Sequence, residues 1–431
     1  MKKVGLYTLG CKVSQYETEA VAEAFEAAGY TVCDFSEAND VYVINTCTVT
    51  AEADKKSRQI IRRAKRKNPN AKILVCGCYS QRTPEELEKM PEVDAVIGSG
   101  GKLGLIGIAE KLLAEDTRIS AVTDIYGEPF ESMSITRGPR TRVYVKIEDG
   151  CESKCSYCAI PSARGNVRSK PKDDVIKEVE ALAKSGVCEI VLTGIETGSY
   201  GRDFDFNYGL GDLLAELDAR KSAERIRLGS LAPELIGKDF AEKIKDLKIL
   251  APHFHVSIQS GSDRILAAMR RRYTRAGALE NIRRLKEYIP NATFTTDLMV
   301  GFPGESEEDF LETVRFAEEV EFLSAHVFCY SKRKNTPAAS MKNQVPEDVK
   351  HSRSQRLIER VGTIGHSVLD SIIESKKPLD CIFEERREGG WYGHSEQFAE
   401  VTTESKNNLH GKRMSVMPIR REDNIIIGKI I

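Results

Sequence analysis

A chain of 431 residues exceeds what one ordinary hydrophobic core fills, so two or three domains are expected. With 41% hydrophobic and 30% charged residues, no apolar run of membrane-spanning length and no apolar leader with a cleavage site, it reads as a globular cytoplasmic protein with no membrane partner. Eleven cysteines without a secretion signal suit a reducing compartment where thiols serve metals, and a net charge of −1 confines any nucleic-acid contact to local basic patches.

Residues 1–115 alternate strand and helix signals. VGLYTLG, DVYVINT, KILVCG and DAVIG read as strands, and 15–28, 52–67 and 84–89 as helices. Such alternation implies an open, mostly parallel sheet. Residues 120–140 are rich in Gly, Pro, Ser and Thr, so 116–140 reads as a linker. A second strand–helix series fills 141–370. Its strands are VYVKI, EIVLTG, RIRLGS, HFHVSIQ, TFTTDLMVGF and AHVFCY, with helices over 173–184 and 309–319. Six such units imply a partial (β/α)6 barrel. Residues 371–431 hold short, partly alternating segments (CIFEE, WYGHSEQFAEVTT, RMSVMPI, NIIIGKII) broken by Gly and charged turns, the pattern of a small all-β barrel. The fold class is therefore α/β: an N-terminal open parallel sheet, a central partial barrel and a C-terminal β-barrel.

Cys151, Cys155 and Cys158 form a C-x3-C-x2-C run just after the first strand of the second series. A loop there can gather three thiolates around one face of an iron–sulfur cluster. Four would saturate a cube; three leave one iron open to a ligand, as in catalytic metal sites. Zinc is the rival, but it normally takes a fourth protein ligand, and three buried thiols are the bland alternative. Cys11, Cys47 and Cys78 each follow a strand of the first series. Carboxyl ends of parallel strands share one edge, where ligands bind in open α/β sheets, so the three can meet there as a second trio. Cys76 competes with Cys78: two residues apart on a strand, they share a face unless the chain turns at Gly77. Cys33, Cys188, Cys329 and Cys381 show no grouping and read as structural.

C-x3-C-x2-C with Tyr157 before the last cysteine resembles the radical S-adenosylmethionine (SAM) enzymes. With GCK, NTCTVT and GCY ahead of it and a small β domain behind, the chain resembles the methylthiotransferases. RGNVRS, LTGIETGSYG, IQSGSDRILAAMRRRYT, DLMVGFPGE, TPAA and GHSEQFAEV also resemble family motifs. GCKVSQYETE and NTCTVT are most similar to the branch that modifies N6-threonylcarbamoyladenosine beside the tRNA anticodon. Ser14 stands where the family usually has Asn, and Asn335 where Gly is more usual.

The resemblance implies two [4Fe–4S] clusters, on Cys151, Cys155 and Cys158 and on Cys11, Cys47 and Cys78. The first binds SAM, whose one-electron cleavage gives the 5′-deoxyadenosyl radical that an unactivated adenine carbon 2 requires. The second supplies or carries sulfur, and another SAM gives the methyl group. The implied partners are the tRNA anticodon stem-loop, an electron donor of flavodoxin or ferredoxin type, and a sulfur source. Gly194 and Glu196 of LTGIETG, and Gln259 and Ser260 of IQSGS, are SAM-contact candidates, with an ordinary strand–turn as the alternative for each; glycines there let backbone approach a ligand. His253 and His255 read as packing. The terminal barrel resembles the TRAM module, an RNA-binding domain.

Lys55, Lys56, Arg58, Arg62, Arg63, Lys65, Arg66 and Lys67 form a basic helical run, and Arg270, Arg271, Arg272 and Arg275 a second cluster. Both suit phosphate contacts, although such runs also occur as plain solvated faces. Trp391, the single tryptophan, reads either as a base-stacking face or as a plug for the barrel end. The leading function is tRNA methylthiotransferase for N6-threonylcarbamoyladenosine, yielding its 2-methylthio derivative. The alternatives are methylthiotransferases for isopentenyladenosine in tRNA or for a ribosomal-protein aspartate, and, in another class, a non-catalytic iron–sulfur RNA-binding sensor.

Overall fold

The computed structural model of the chain describes residues 1–115, 117–138 and 141–431. Asp116, Pro139 and Arg140 of the expected linker lie outside the described residues.

The first series forms a six-stranded parallel sheet in the order Thr31–Cys33, Lys3–Thr8, Val41–Thr46, Lys72–Gly77, Ala95–Ile97, Ile119–Ala121. Val41–Thr46 is buried at every position, as a central parallel strand covered on both faces should be. Apolar cores lie on both sides of the sheet, under the helices Lys12–Ala27, Ala51–Lys67 and Leu105–Ala114. The sequence reading missed that third helix, the helix Cys78–Arg82 and the two edge strands. A three-residue strand is too short to show alternation. Ile119–Ala121 falls inside the stretch read as linker.

The six expected strands of the second series are all present and parallel. The third breaks at Gly229, so that Ile226–Leu228 pairs with Glu189–Thr193 while Ser230–Leu231 pairs with His253–Gln259. Alternation sorts the side chains: Val143, Val145, Ile147, Phe254, Val256 and Ile258 enter the core, which turns Arg142, Lys146, Glu148, His253 and His255 to the concave side.

A 28-residue helix, Glu347–Glu374, was not expected and runs through the boundary anticipated at residue 371. Its Leu357, Val361 and Ile364 join the central core; Leu369 and Ile372 join the core of the closed C-terminal barrel. Trp391 is 7% exposed within that barrel core, the plug reading. Tyr392 is half-buried, with the Arg387 guanidinium 4.6 Å above its ring. Among the described residues no helix is long and apolar enough to cross a membrane.

Candidate active site

The Cys151–Cys158 loop opens at Gly150, whose φ of +89° and closeness to the Asn166 carbonyl (an added Cβ would lie 1.8 Å away) exclude any side chain. Cys151 N–H donates to Gly165 O at 3.0 Å, and Cys158 N–H to Cys155 O at 3.2 Å. Ser156 is tied by its N–H to Met269 O, by its hydroxyl to Ala268 O, and by its carbonyl to the Ala338 N–H. Arg271, read from the sequence as part of a phosphate-binding cluster, is instead turned inward: Nη1 reaches Cys155 Sγ at 3.4 Å and Nε donates to Tyr273 Oη at 3.2 Å. Burial, with Cys155 and Cys151 adding to it, pushes the Cys158 thiol up to about 12. Such crowded thiols ionise when a bound cation takes their charge.

The second trio is drawn from three loops at the carboxyl edge of the N-terminal sheet. Gly10, at φ +122°, is so close to Cys47 that an added Cβ would lie 3.3 Å from its Sγ; Cys11 is the next residue. The chain does turn at Gly77, φ +99°, where an added Cβ would meet Asn45 Oδ1 at 2.4 Å. Cys76 therefore enters an apolar core, while Cys78 begins a helix and accepts the Arg164 Nε–H at 3.1 Å. Burial first, and the neighbouring Cys78 next, push the Cys47 thiol up to about 12. Ser14 Oγ lies 3.8 Å from Cys11 Sγ, so the first family departure sits at this trio. Asn335, the second, has φ +65°, a conformation that Asn tolerates better than most side chains. Among the described residues no group of three or more His, Cys, Asp or Glu side chains converges closely enough for a single metal ion.

Of the other candidates, Gly194 and Glu196 are brought together around Glu148, which the sequence reading missed. The Glu196 N–H donates to Glu148 Oε2 at 2.9 Å, and Glu196 Oε1 accepts the Ala232 N–H at 2.9 Å. A Cβ at Gly194 would lie 2.4 Å from Glu148 Oε2. Burial pushes Glu196 up to about 7 and Glu148 well above the carboxylate range. Glu148 Oε1 has no hydrogen-bond partner among the described residues. Burial, with Glu196 and Glu148 adding to it, also raises the Cys151 thiol. Gln259 ends its strand at φ +67°. Ser260 Oγ is engaged with Thr313 Oγ1 at 3.3 Å and with the Ser262 N–H. His253 stacks on Phe398, with 4.5 Å between ring centres, and His255 Nε2 lies 3.2 Å from Asp297 Oδ2. Three thiol donors, a cation on one of them, and a buried carboxyl oxygen lacking a partner fit an iron–sulfur cluster with a polar ligand beside it.

Known proteins give the same picture. The Radical SAM superfamily matches residues 145–317, and the uncharacterized protein family UPF0004 matches residues 3–98. The fold is similar to that of a radical S-adenosylmethionine methyltransferase, TsrM, from Kitasatospora setae, solved with cobalamin and a [4Fe-4S] cluster. That likeness has a TM-score of 0.59 at 18% identity, over 79% of this chain and 77% of that one. A threonylcarbamoyladenosine tRNA methylthiotransferase, MtaB, of Bacillus subtilis (strain 168) is 40% identical over 96% of this chain and 93% of its own. The MtaB of Aquifex aeolicus is 41% identical over 83% and 87%. A tRNA-2-methylthio-N(6)-dimethylallyladenosine synthase of Clostridium tetani is 37% identical over 82% and 80%. Fold and matches define a radical SAM enzyme, a class that works with a [4Fe–4S] cluster and SAM. More narrowly, the chain belongs to the radical SAM methylthiotransferase family.

Proposed function

We propose that this enzyme inserts a methylthio group at carbon 2 of N6-threonylcarbamoyladenosine, next to the anticodon of tRNA. The observation that carries the reading is Arg164: it ends the helix that starts two residues after Cys158, and its Nε–H reaches the Cys78 sulfur at 3.1 Å. Likeness over 96% and 83% of the chain to two enzymes named for that nucleoside supports its choice. In this reading Cys151, Cys155 and Cys158 hold the SAM-binding cluster, and Cys11, Cys47 and Cys78 a second [4Fe–4S] cluster. When bound, the first would supply the electron that cleaves SAM, the radical chemistry that an unactivated C–H bond requires. The protein's own groups hold the partners. Arg271 fixes the Cys155 sulfur, Gly194 lets the backbone close on Glu148, and the Glu196 carboxyl offers its charge to the ammonium of SAM. Gln259 and Ser260 line the same strand ends.

The division into 1–115, a linker over 116–140, 141–370 and a TRAM-like 371–431 goes with this reading. So do a cytoplasmic setting, an electron donor of flavodoxin or ferredoxin type and a separate sulfur source. Replacing Cys151, Cys155 and Cys158 by Ala will abolish cleavage of SAM to 5′-deoxyadenosine. Replacing Cys11, Cys47 and Cys78 will spare cleavage, lower iron content and stop sulfur insertion. A second trio whose loss leaves iron content unchanged is not a cluster site. Mass spectrometry of tRNA nucleosides from cells lacking the gene should show loss of the 2-methylthio mark on N6-threonylcarbamoyladenosine; loss on isopentenyladenosine alone would reassign the substrate.

A further inference from the structure

Between the Cys151–Cys158 loop and Cys78 lies a largely buried ion network. Arg164 ends the short helix Ile160–Arg164, which starts two residues after Cys158, and it is wholly buried. Its Nη1 donates to Glu17 Oε1 at 2.5 Å and its Nη2 to Glu17 Oε2 at 3.2 Å, the two-pronged pairing that gives Arg its geometric specificity. Nη1 also lies 3.2 Å from Asp149 Oδ2. The Nε–H points at Cys78 Sγ, 3.1 Å away. Glu17, from the helix that follows Cys11, takes Lys102 at 3.3 Å and Lys146 at 2.9 Å, and Lys146 reaches Asp149 at 3.0 Å.

The charges in these contacts do not balance. Glu17 and Asp149 bring two negative charges against three positive ones on Lys102, Lys146 and Arg164, and Arg168, 3.6 Å from Asp149, adds a fourth. Uncompensated buried charge is costly. Within this set of residues, the group facing the excess is the sulfur of Cys78. A charge-assisted hydrogen bond to a cluster ligand fixes its orientation and raises the reduction potential of the cluster.

We propose that Arg164 is the positioning residue that joins the two cluster loops. It holds the Cys78 sulfur at a set place relative to the Cys151–Cys158 loop and sets the potential of the second cluster through its Nε–H. The inference rests on the reading that Cys11, Cys47 and Cys78 carry that cluster.

The test uses the full chain with Cys151, Cys155 and Cys158 replaced by Ala, reconstituted with iron and sulfide, so that only the second trio can hold a cluster. Its midpoint is followed by spectroscopic redox titration. Arg164→Lys keeps a positive charge for Glu17 but has no second nitrogen to reach Cys78, so the midpoint should move to lower potential with iron content retained. Glu17→Gln removes a negative charge beside the guanidinium without touching a cysteine, so the midpoint should move the opposite way. In the chain with all cysteines, Arg164→Lys should lower the ratio of methylthio product to 5′-deoxyadenosine formed. A side chain that merely glues two domains would move neither midpoint. Unchanged midpoints in both variants overturn the proposal, as does a foldable Glu17→Gln with an unchanged midpoint where Arg164→Lys fails to fold. If the triple-Ala background binds no cluster, the second-cluster reading itself is wrong, and the role of Arg164 falls with it.

Discussion

Glu196 carries a pH dependence near neutrality. Burial raises its pKa from 4.5 to about 7, so it is largely neutral in the folded protein below that pH. Two opposite trends follow. The unfolded chain gives up this proton near pH 4.5, so the group costs stability progressively as pH rises from there to 7. In the proposed site, in contrast, the ionised form would hold the ammonium of SAM better. Affinity of the cluster-loaded enzyme for SAM should therefore fall about tenfold per pH unit below pH 7 and level off above it. Glu196→Gln should flatten that profile between pH 5.5 and 8 in equilibrium binding. A wild-type profile already flat there removes Glu196 from the SAM contacts. Glu148, one backbone hydrogen bond away, shows why this pair was half legible: a glutamate after a strand and near a glycine can be noticed in LTGIETG, but the partner across the sheet has no local signature.

At the scale of single elements, the helix Ala51–Lys67 presents two faces. Ile60, Ile61 and Ala64 are buried, while Lys55, Lys56, Arg62, Arg63, Arg66 and Lys67 are exposed. The Thr50 hydroxyl accepts the Ala53 N–H at its start, and Lys65, Arg66 and Lys67 complement the dipole at its end. Part of the basic run is committed within the protein: Arg62 lies 3.8 Å from Glu92, Lys65 3.4 Å from Asp94, and Arg58 3.8 Å from Glu86. Arg63 and Arg66 make no ion pair within 4 Å among the described residues and are the better phosphate donors. Changing both to Gln should weaken tRNA binding and flatten its logarithmic salt dependence by up to about 0.7–0.9 for each phosphate no longer neutralised. An unchanged slope returns the helix to an ordinary solvated face. This helix and the strand His253–Gln259 were read almost residue for residue, because an unbroken amphipathic or alternating run is a local signal. Glu347–Glu374 was not, although Leu357, Val361 and Ile364 keep helical spacing. Gly362 and Gly365 interrupt its propensity, and Gly365 is needed because a Cβ there would come 2.5 Å from the Leu323 carbonyl.

For the whole molecule, Phe398 is the joint between the central barrel and the C-terminal one. It holds φ +68°, an uncommon backbone state for an aromatic residue. Its ring lies between His253 and His394, at 4.5 and 5.0 Å, with Arg142 and Arg227 at 5.4 and 5.0 Å. Around it Arg227 donates to Ser395 O and Glu396 O, Thr293 to Gln397 O, and Gln397 to Asn291 O. Phe398→Ala should loosen this joint by about 2 kcal/mol and let the C-terminal barrel melt as a separate, earlier calorimetric transition. A melting profile identical to wild type would show that the long helix alone couples the two. By itself the amino-acid sequence determined the long central strands of both parallel sheets, the amphipathic helix Ala51–Lys67 and the all-β character of the C-terminal segment, because hydrophobic period and strand–turn chemistry are local. Only the tertiary structure decided that Cys78 rather than Cys76 faces Arg164, that Arg271 turns toward Cys155, and that Glu17 meets Arg164 across 147 residues of chain. Those contacts depend on how two separately specified sheets face one another, which no local period records.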